Sequence, residues 1–107
     1  MTNYIVGRRL EYRIRNLFRK HGYLVIRAAS SKPIDLVCIK DGKTILIECK
    51  TGSSWLGKVR KEELSGLSKQ AGAPILLARR RGKRNVEYTF LGEERKLDSK
   101  DLFSSIP

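Results

Sequence analysis

The chain has few of the residues that build zinc sites and disulfide frameworks. Its 107 residues include two cysteines and one histidine, whereas a zinc site needs about four such ligands. Long apolar runs are also missing. The longest are of strand length, so the sequence predicts neither a membrane span nor an interfacial helix with a broad hydrophobic face. The N-terminal segment MTNYIVGRR lacks the order of a signal peptide, and we therefore expect a cytoplasmic protein.

Acidic residues are scarce as well. Eleven Asp and Glu stand against 23 Lys and Arg, which gives a net charge of +12. Such a field attracts polyanions, so nucleic acid is the leading partner; an anionic membrane or a merely soluble basic surface are the alternatives. The length, with 40% hydrophobic residues, predicts one globular domain over residues 1–107. At this size, pairing with a second copy would help stability.

Hydrophobic spacing predicts an α/β chain with the element order αβββαββ. Apolar residues recur at helical spacing from Tyr4 to His21, and Gly22 closes that helix. Glu11 falls at the margin of the apolar stripe, so it points partly inward. The remaining predicted segments are strands at 23–29, 34–40 and 43–50, a helix at 60–71, strands at 74–80 and 86–91, and at most a helical turn near 99–103.

A hairpin brings two acids together. Asp41-Gly42 favours a two-residue type I′ turn, because both central residues of that turn need positive φ. Hairpin partners then have numbers that sum to 83, which places Asp35 opposite Glu48. Strand alternation puts both acids and Lys50 on one face. The two cysteines share the other face, several ladder steps apart, so no disulfide is expected.

Carboxylates opposed in this way, about 5 Å apart at Cβ, repel each other unless a cation bridges them. Oxygen ligands suit a hard ion, Mg²⁺ first, with Mn²⁺ as a substitute. Lys50 could neutralise developing charge or orient a water molecule. A simpler alternative is that Lys50 pairs with one acid at an exposed strand end. The Glu-x-Lys triplet is weak evidence by itself, since residues 94–96 repeat it without a strand pattern.

These residues also resemble a known family. The segment PID (33–35), followed after twelve residues by ECK (48–50), resembles the PD-(D/E)xK nuclease signature. More closely, Gly7-x-x-x-Glu11, the segment HGYLVIRAASSKPIDLV (21–37) and the later IECK together resemble the archaeal Holliday-junction resolvases. The match covers the first half of the chain without gaps, and the second half only in its helix-strand order.

The resemblance implies a restriction-endonuclease-like nuclease fold with a central mixed β-sheet flanked by helices. It also implies a homodimer with two active sites and a divalent metal. Lys50 would be the catalytic lysine, and Arg27 and Ser31 would lie near the cleaved phosphate. The implied metal ligands are Asp35, Glu48, Glu11 and the carbonyl of Cys49. The implied catalytic residues are Glu11, Asp35, Glu48, Lys50, Arg27 and Ser31.

Basic residues predict contacts with phosphate. The segment RRRGKR (79–84) has five cations in six residues, and few side chains are set out to read base edges, so recognition by shape is expected. The expected DNA-contacting residues are Arg8, Arg9, Arg27, Ser30, Ser31, Lys32, Arg79, Arg80, Arg81, Lys83 and Arg84. The sequence therefore predicts a metal-dependent endonuclease that resolves four-way DNA junctions by paired cuts. Two alternatives stay open, a basic nucleic-acid-binding protein without catalysis and a nuclease of ordinary duplex DNA.

Overall fold

The predicted elements are present in the predicted order, with one more helix at the end. The computed structural model describes residues 3–28, 33–51, 56–82 and 84–106, and for residues 3–7 the backbone alone. The elements are α1 (Asn3–Lys20), β1 (Leu24–Arg27), β2 (Leu36–Lys40), β3 (Lys43–Lys50), α2 (Lys58–Ala71), β4 (Ile75–Arg81), β5 (Asn85–Phe90) and α3 (Ser99–Ser105).

The five strands form one mixed sheet in the order β1-β2-β3-β4-β5. Neighbouring strands are antiparallel except for β3 and β4, which are parallel because α2 carries the chain back across the sheet. The β2–β3 turn has positive φ at Asp41 (53°) and Gly42 (75°), as the hairpin prediction requires. Its ladder runs from Leu36 opposite Ile47 to Lys40 opposite Lys43, which confirms the predicted register.

The larger core fills the face of the sheet that packs against α1. The apolar stripe predicted for α1 supplies Leu10, Ile14 and Phe18, all buried. The strands add alternating residues such as Cys38 and Ile47. The helix ends as predicted, with Gly22 at φ 88° and its N–H donating to the carbonyl of Arg19. We call this cluster the α1-face core.

A smaller core fills the opposite face, under α2. Its buried members are Ile34, Leu46, Leu64, Ala73 and Ile75. We call it the α2-face core. The helix contacts mainly β4. Away from it, on the same side of the sheet, Leu24 is 61% exposed and Ile26 is 49% exposed. Among the described residues, the α2 side of the sheet is therefore left open at β1.

The tail after β5 differs from the prediction of a polar segment with at most one helical turn. Leu97 forms an isolated antiparallel bridge with Tyr88, and Leu97 and Leu102 are both buried in the α1-face core. Asp98 starts α3 by accepting a hydrogen bond from the N–H of Asp101 at 2.8 Å. The tail is ordered because its two leucines have a core to enter, and periodicity over so short a segment could not show this.

The predictions for α2 were partly wrong, and those for the cysteines and His21 were confirmed. The helix predicted to begin at Arg60 begins at Lys58, after an extended Gly57 that provides no side-chain cap. At helical spacing Ala71 is predicted to share the inward side of this helix with Leu64 and Leu67, but it is exposed. Both cysteines are free, as predicted. His21 accepts or donates through Nδ1 to the carbonyl of Leu17 at 3.0 Å, which agrees with its predicted place at the end of α1. Within the described residues, no helix is long and apolar enough to cross a membrane.

Candidate active site

Asp35 and Glu48 meet on the α2 side of the sheet, where β2 begins and β3 nears its end. Asp35 lies one residue before β2, where the regular ladder has ended with Leu36 opposite Ile47. Its N–H donates to the carbonyl of Ile47 at 3.2 Å, one residue short of the Glu48 partner that the hairpin count predicts. Its Oδ2 accepts a 2.7 Å hydrogen bond from the N–H of Cys49. Both acids are buried, at 6% and 5% exposed. The hairpin thus fixes two carboxylates side by side in a poorly solvated position.

The proximity of the acids has an electrostatic cost. Burial raises the pKa of the Glu48 carboxyl above its ordinary value, and the neighbouring charge of Asp35, within hydrogen-bonding reach, raises it further. A hydrogen bond from Arg60 opposes this shift. A raised pKa means that the ionised form of Glu48 is disfavoured in the folded protein. Two such oxygen donors fit a hard divalent cation, which would offset both effects.

Arg60 is a site residue that the sequence did not predict. Projecting from the first turn of α2, it donates from Nε to Glu48 Oε2 at 2.9 Å, and its Nη2 lies 2.7 Å from the same oxygen. The signal available in the sequence was weak. The first turn of α2 has three cations and no acid. The dipole at a helix N-terminus destabilises a positive charge, and an ion pair with a nearby acid offsets that effect.

Glu11 is buried, as its place on the helix predicted, but it pairs with an arginine from β1. Arg27 donates from Nε to Glu11 Oε1 at 3.0 Å. Among the residues that the structure describes, no group of three or more His, Cys, Asp or Glu is arranged to hold a metal ion. Glu11 is therefore not gathered with Asp35 and Glu48 into one cluster, and its part in a metal site stays a prediction.

Lys50 follows Glu48 by two residues and is half-buried. Strand alternation places it on the same face, and in the parallel ladder it lies beside Arg79 of β4. Both side chains line a cleft of about 600 Å³ between α2 and the end of the sheet. The cleft also contains Lys61 and Lys96, together with acids such as Glu87. Lys50 thus connects the two acids to an open, mixed-charge cleft.

Three arginines surround one tyrosine next to Glu11. The guanidinium carbons of Arg8, Arg15 and Arg27 lie 5.7, 4.6 and 5.4 Å from the ring centroid of Tyr12. Arg8 also donates from Nε to the Tyr12 hydroxyl at 3.1 Å. A ring face attracts cations, so Tyr12 holds like charges close together. We call these four residues the Tyr12 cluster; Tyr12 and Arg15 were not predicted to take part in DNA binding.

The remaining predicted DNA-contacting residues have different environments. Arg9 is exposed on α1. Within the segment 79–84, Arg79 and Arg80 belong to β4, as the predicted strand placed them, and are half-buried; β4 extends one residue further, to Arg81. Arg84 is exposed after the turn. The predicted residues Ser30, Ser31, Lys32 and Lys83 lie outside the described residues.

The comparison with known proteins agrees with the geometry of the site. The family model described as "Archaeal holliday junction resolvase (hjc)" matches residues 2–103. Crossover junction endodeoxyribonuclease Hjc of Methanocaldococcus jannaschii is 36% identical over 64 residues, which are 60% of this chain. The match spans about half of that relative, 48% of its length.

A solved structure shows the same fold. The Holliday junction resolvase Hjc of Archaeoglobus fulgidus superposes with a TM-score of 0.70, over 88% of this chain and 84% of its own. The sequence identity in this comparison is 21%, so it bears on the fold alone. The arrangement of a mixed five-stranded sheet between helices is therefore shared with a known resolvase structure, which confirms the predicted fold class.

Proposed function

This chain belongs to the archaeal Holliday junction resolvase family, and from that premise we propose that it is a metal-dependent endodeoxyribonuclease that resolves four-way DNA junctions by paired hydrolytic cuts. The observation that supports this most is the meeting of Asp35 and Glu48 on one face of the sheet, with Lys50 two residues further along β3. Acting on chromosomal DNA, the protein would work in the cytoplasm.

The two acids would hold the metal. Asp35 and Glu48 provide oxygen donors, with the Cys49 carbonyl and Glu11 as further proposed ligands and Mg²⁺ as the proposed ion. When bound, the ion would supply Lewis-acid stabilisation of the negative charge that develops on the phosphate. The N–H of Cys49 keeps the Asp35 carboxylate in place through their 2.7 Å hydrogen bond. The hairpin therefore orients the ligands before any ion arrives.

Lys50 and Arg27 would act on the phosphate itself. Lys50 presents an ammonium group on the face of the acids, where it would orient the attacking water and stabilise developing charge. Glu11 fixes the guanidinium of Arg27 through their 3.0 Å ion pair, which would keep Arg27 aimed at a phosphate oxygen. Ser31 is proposed to assist at the same phosphate.

DNA arms would lie along two basic surfaces. The first is the Tyr12 cluster with exposed Arg9 on α1, and the second is the end of the β4–β5 hairpin, with Arg80, Arg81 and Arg84. Ser30, Lys32, Arg79 and Lys83 are the other proposed contacts. Such contacts position a phosphate backbone without reading bases, so selectivity would come from the shape of the junction.

A homodimer is proposed because two cuts need two sites. On the α2 side of β1 and β2, Leu24 and Ile26 are exposed beside Ile39 and Val37 of the next strand. Two copies, each with a net charge of +12, repel one another, so a contact between them needs an uncharged surface. This apolar patch, which α2 leaves uncovered, meets that need.

The decisive experiment compares two DNA substrates. A synthetic four-way junction and a linear duplex made from the same arm sequences are incubated with the protein and Mg²⁺. We expect paired cuts in the junction and little cutting of the duplex. Asp35→Asn and Glu48→Gln should bind the junction and leave it intact. Equal cutting of both substrates would favour the duplex nuclease, and binding without cutting of either would favour the non-catalytic protein.

The ion is tested by its removal. Chelation should abolish junction cutting, and added Mg²⁺ or Mn²⁺ should restore it to the wild-type protein. Cutting that persists in a chelator would exclude the proposed metal dependence.

The proposed dimer is tested by placing a charged side chain on the apolar patch. Ile26→Lys should convert the dimer to a monomer in light scattering and uncouple the two cuts, whereas Asn16→Lys, which adds the same charge on exposed α1, should leave the dimer intact. A wild-type protein that is monomeric at working concentration would exclude the proposed assembly.

A further inference from the structure

Arg60 contacts one carboxylate oxygen of Glu48, which a divalent cation bound to Glu48 could also use. Its Nε and Nη2 both contact Oε2 of Glu48, at 2.9 and 2.7 Å. A carboxylate oxygen has about two lone-pair positions; the hydrogen bond from Nε takes one, and Nη2 crowds the other from 2.7 Å. A cation binding through Oε2 would therefore have to move Arg60 aside.

The same guanidinium has other acceptors within reach. Nη1 donates to Glu63 Oε2 at 3.1 Å, one turn along α2, and Nη2 donates to the Pro33 carbonyl at 2.9 Å. Glu63 is 58% exposed and Glu48 only 7% at the side chain. Arg60 is thus already bonded to a solvent-exposed acid that could keep it after it leaves the buried one. Leaving Glu48 would not strand the guanidinium without a partner.

We propose that Arg60 competes with the divalent cation for Glu48, partly offsetting the negative charge of the Asp35–Glu48 pair in the metal-free protein and moving towards Glu63 when the ion binds. The proposal rests on the metal dependence proposed above. Arg60 is a positioning residue in this scheme, since it acts through Glu48. The physical basis of the proposal is that two positive groups cannot bind the same buried oxygen at once, so each weakens the binding of the other.

The test measures metal affinity without DNA, so that catalysis plays no part. Mn²⁺ is titrated into the protein at fixed ionic strength, and free Mn²⁺ is followed by its electron paramagnetic resonance signal. We expect Arg60→Gln to bind Mn²⁺ more tightly, on the order of tenfold. Thermal unfolding without metal should show that Arg60→Gln is folded, and added Mn²⁺ should raise its Tm more than that of the wild type.

Two further variants separate competition from a general charge effect. Arg60→Lys keeps the charge but loses the fork, so its Mn²⁺ affinity should also rise, although less than that of Arg60→Gln. Lys61→Gln removes a neighbouring charge that has no described bond to Glu48, and its affinity should stay within about twofold of wild type. An Arg60→Gln affinity equal to or below that of the wild type would overturn the proposal, as would equal gains in Arg60→Gln and Lys61→Gln.

Asp35→Asn distinguishes this failure from failure of the site. If Asp35→Asn abolishes Mn²⁺ binding while Arg60→Gln leaves it unchanged, the metal site stands and the competition by Arg60 is wrong. If wild-type binding is absent or survives Asp35→Asn, the metal site itself is wrong, and the proposal for Arg60 falls with it.

Discussion

The two faces of the sheet divide the work of this protein. The α1-face core is built from α1, strand residues and the tail, and its largest side chains, such as Phe18 and Tyr88, are almost completely buried. The α2 face has the smaller core, the buried Asp35 and Glu48, and exposed Leu24 and Ile26. Most of the apolar burial lies on one side, and the paired acids Asp35 and Glu48 lie on the other.

This division follows from what each face has to do. Apolar packing is strongest where water is fully excluded, so a stable face is a closed one. A site that admits DNA and metal must stay open, and its paired acids reduce stability. If the division is real, substitutions on the α1 face should mainly cost stability, and substitutions of the site acids should mainly cost activity.

The largest loss of stability is expected from Phe18→Ala on the α1 face. Phe18 is fully buried and its ring packs 5.1 Å from that of Tyr23 and 5.0 Å from that of Phe103, measured between centroids. Removing the ring should lower the free energy of unfolding by about 4 kcal/mol, measured by urea denaturation. Exposed Arg19→Ala, the next residue on α1, should change it by less than about 0.5 kcal/mol. A loss below about 1 kcal/mol for Phe18→Ala would contradict the comparison.

A slightly smaller loss is expected from Leu102→Ala in the tail. Leu102 is fully buried in the α1-face core, so its truncation should cost about 3 kcal/mol in the same measurement. Lys100→Ala, on an exposed position of α3, is the matched control. If Leu102→Ala were as stable as wild type, the tail would not belong to the α1-face core.

Glu48→Gln should raise the free energy of unfolding, whereas the two core substitutions should lower it. Because burial and Asp35 raise the pKa of Glu48, its ionised form costs folding free energy at neutral pH. The amide keeps the shape without the charge, so we expect a higher free energy of unfolding and a higher Tm, together with loss of junction cutting. Glu63→Gln on the exposed side of Arg60 should leave Tm nearly unchanged. A lower Tm for Glu48→Gln would mean that its ion pair with Arg60 outweighs the repulsion.

The smallest expected effect is a loss of stability at alkaline pH, caused by Cys38 in the α1-face core. Burial raises the pKa of the Cys38 thiol from 9.0 to about 12, so the folded protein keeps this proton at a pH where the unfolded chain loses it. Stability should therefore fall as pH rises above about 9. Between pH 7.5 and 9.5 the wild type should lose about 0.8 kcal/mol more than Cys38→Ala, measured by urea denaturation at each pH. Parallel losses would show that Cys38 is less buried than the structure indicates.

The sequence predicted most of the fold because its signals are local. The β2–β3 register followed from Asp41-Gly42, and the inward faces of the strands followed from alternation. The proximity of the Asp35 and Glu48 side chains followed from this register, although the ladder itself ends at Leu36 opposite Ile47 and the Asp35 N–H bonds Ile47. The tail was missed because Leu97 and Leu102 are separated by polar residues and show their role only against the core.

The site was predicted less completely than the fold. Arg60 lies twelve residues from Glu48 and in a different element of the fold, so no local pattern links the two side chains. Glu11 and Arg27 were both singled out, but their ion pair was not predicted, since it joins α1 to the edge strand. Such contacts depend on how each helix is seated on the sheet.

By itself, the sequence determined the helix and strand order, the hairpin that opposes two acids, and the positive charge that suits a polyanion. Tertiary structure alone decided that Arg60 reaches Glu48, that Arg27 reaches Glu11, and that the tail enters the core. The physical reason is range: turn geometry and side-chain alternation act over a few residues, whereas the seating of a helix on a sheet is set by packing between side chains distant in sequence.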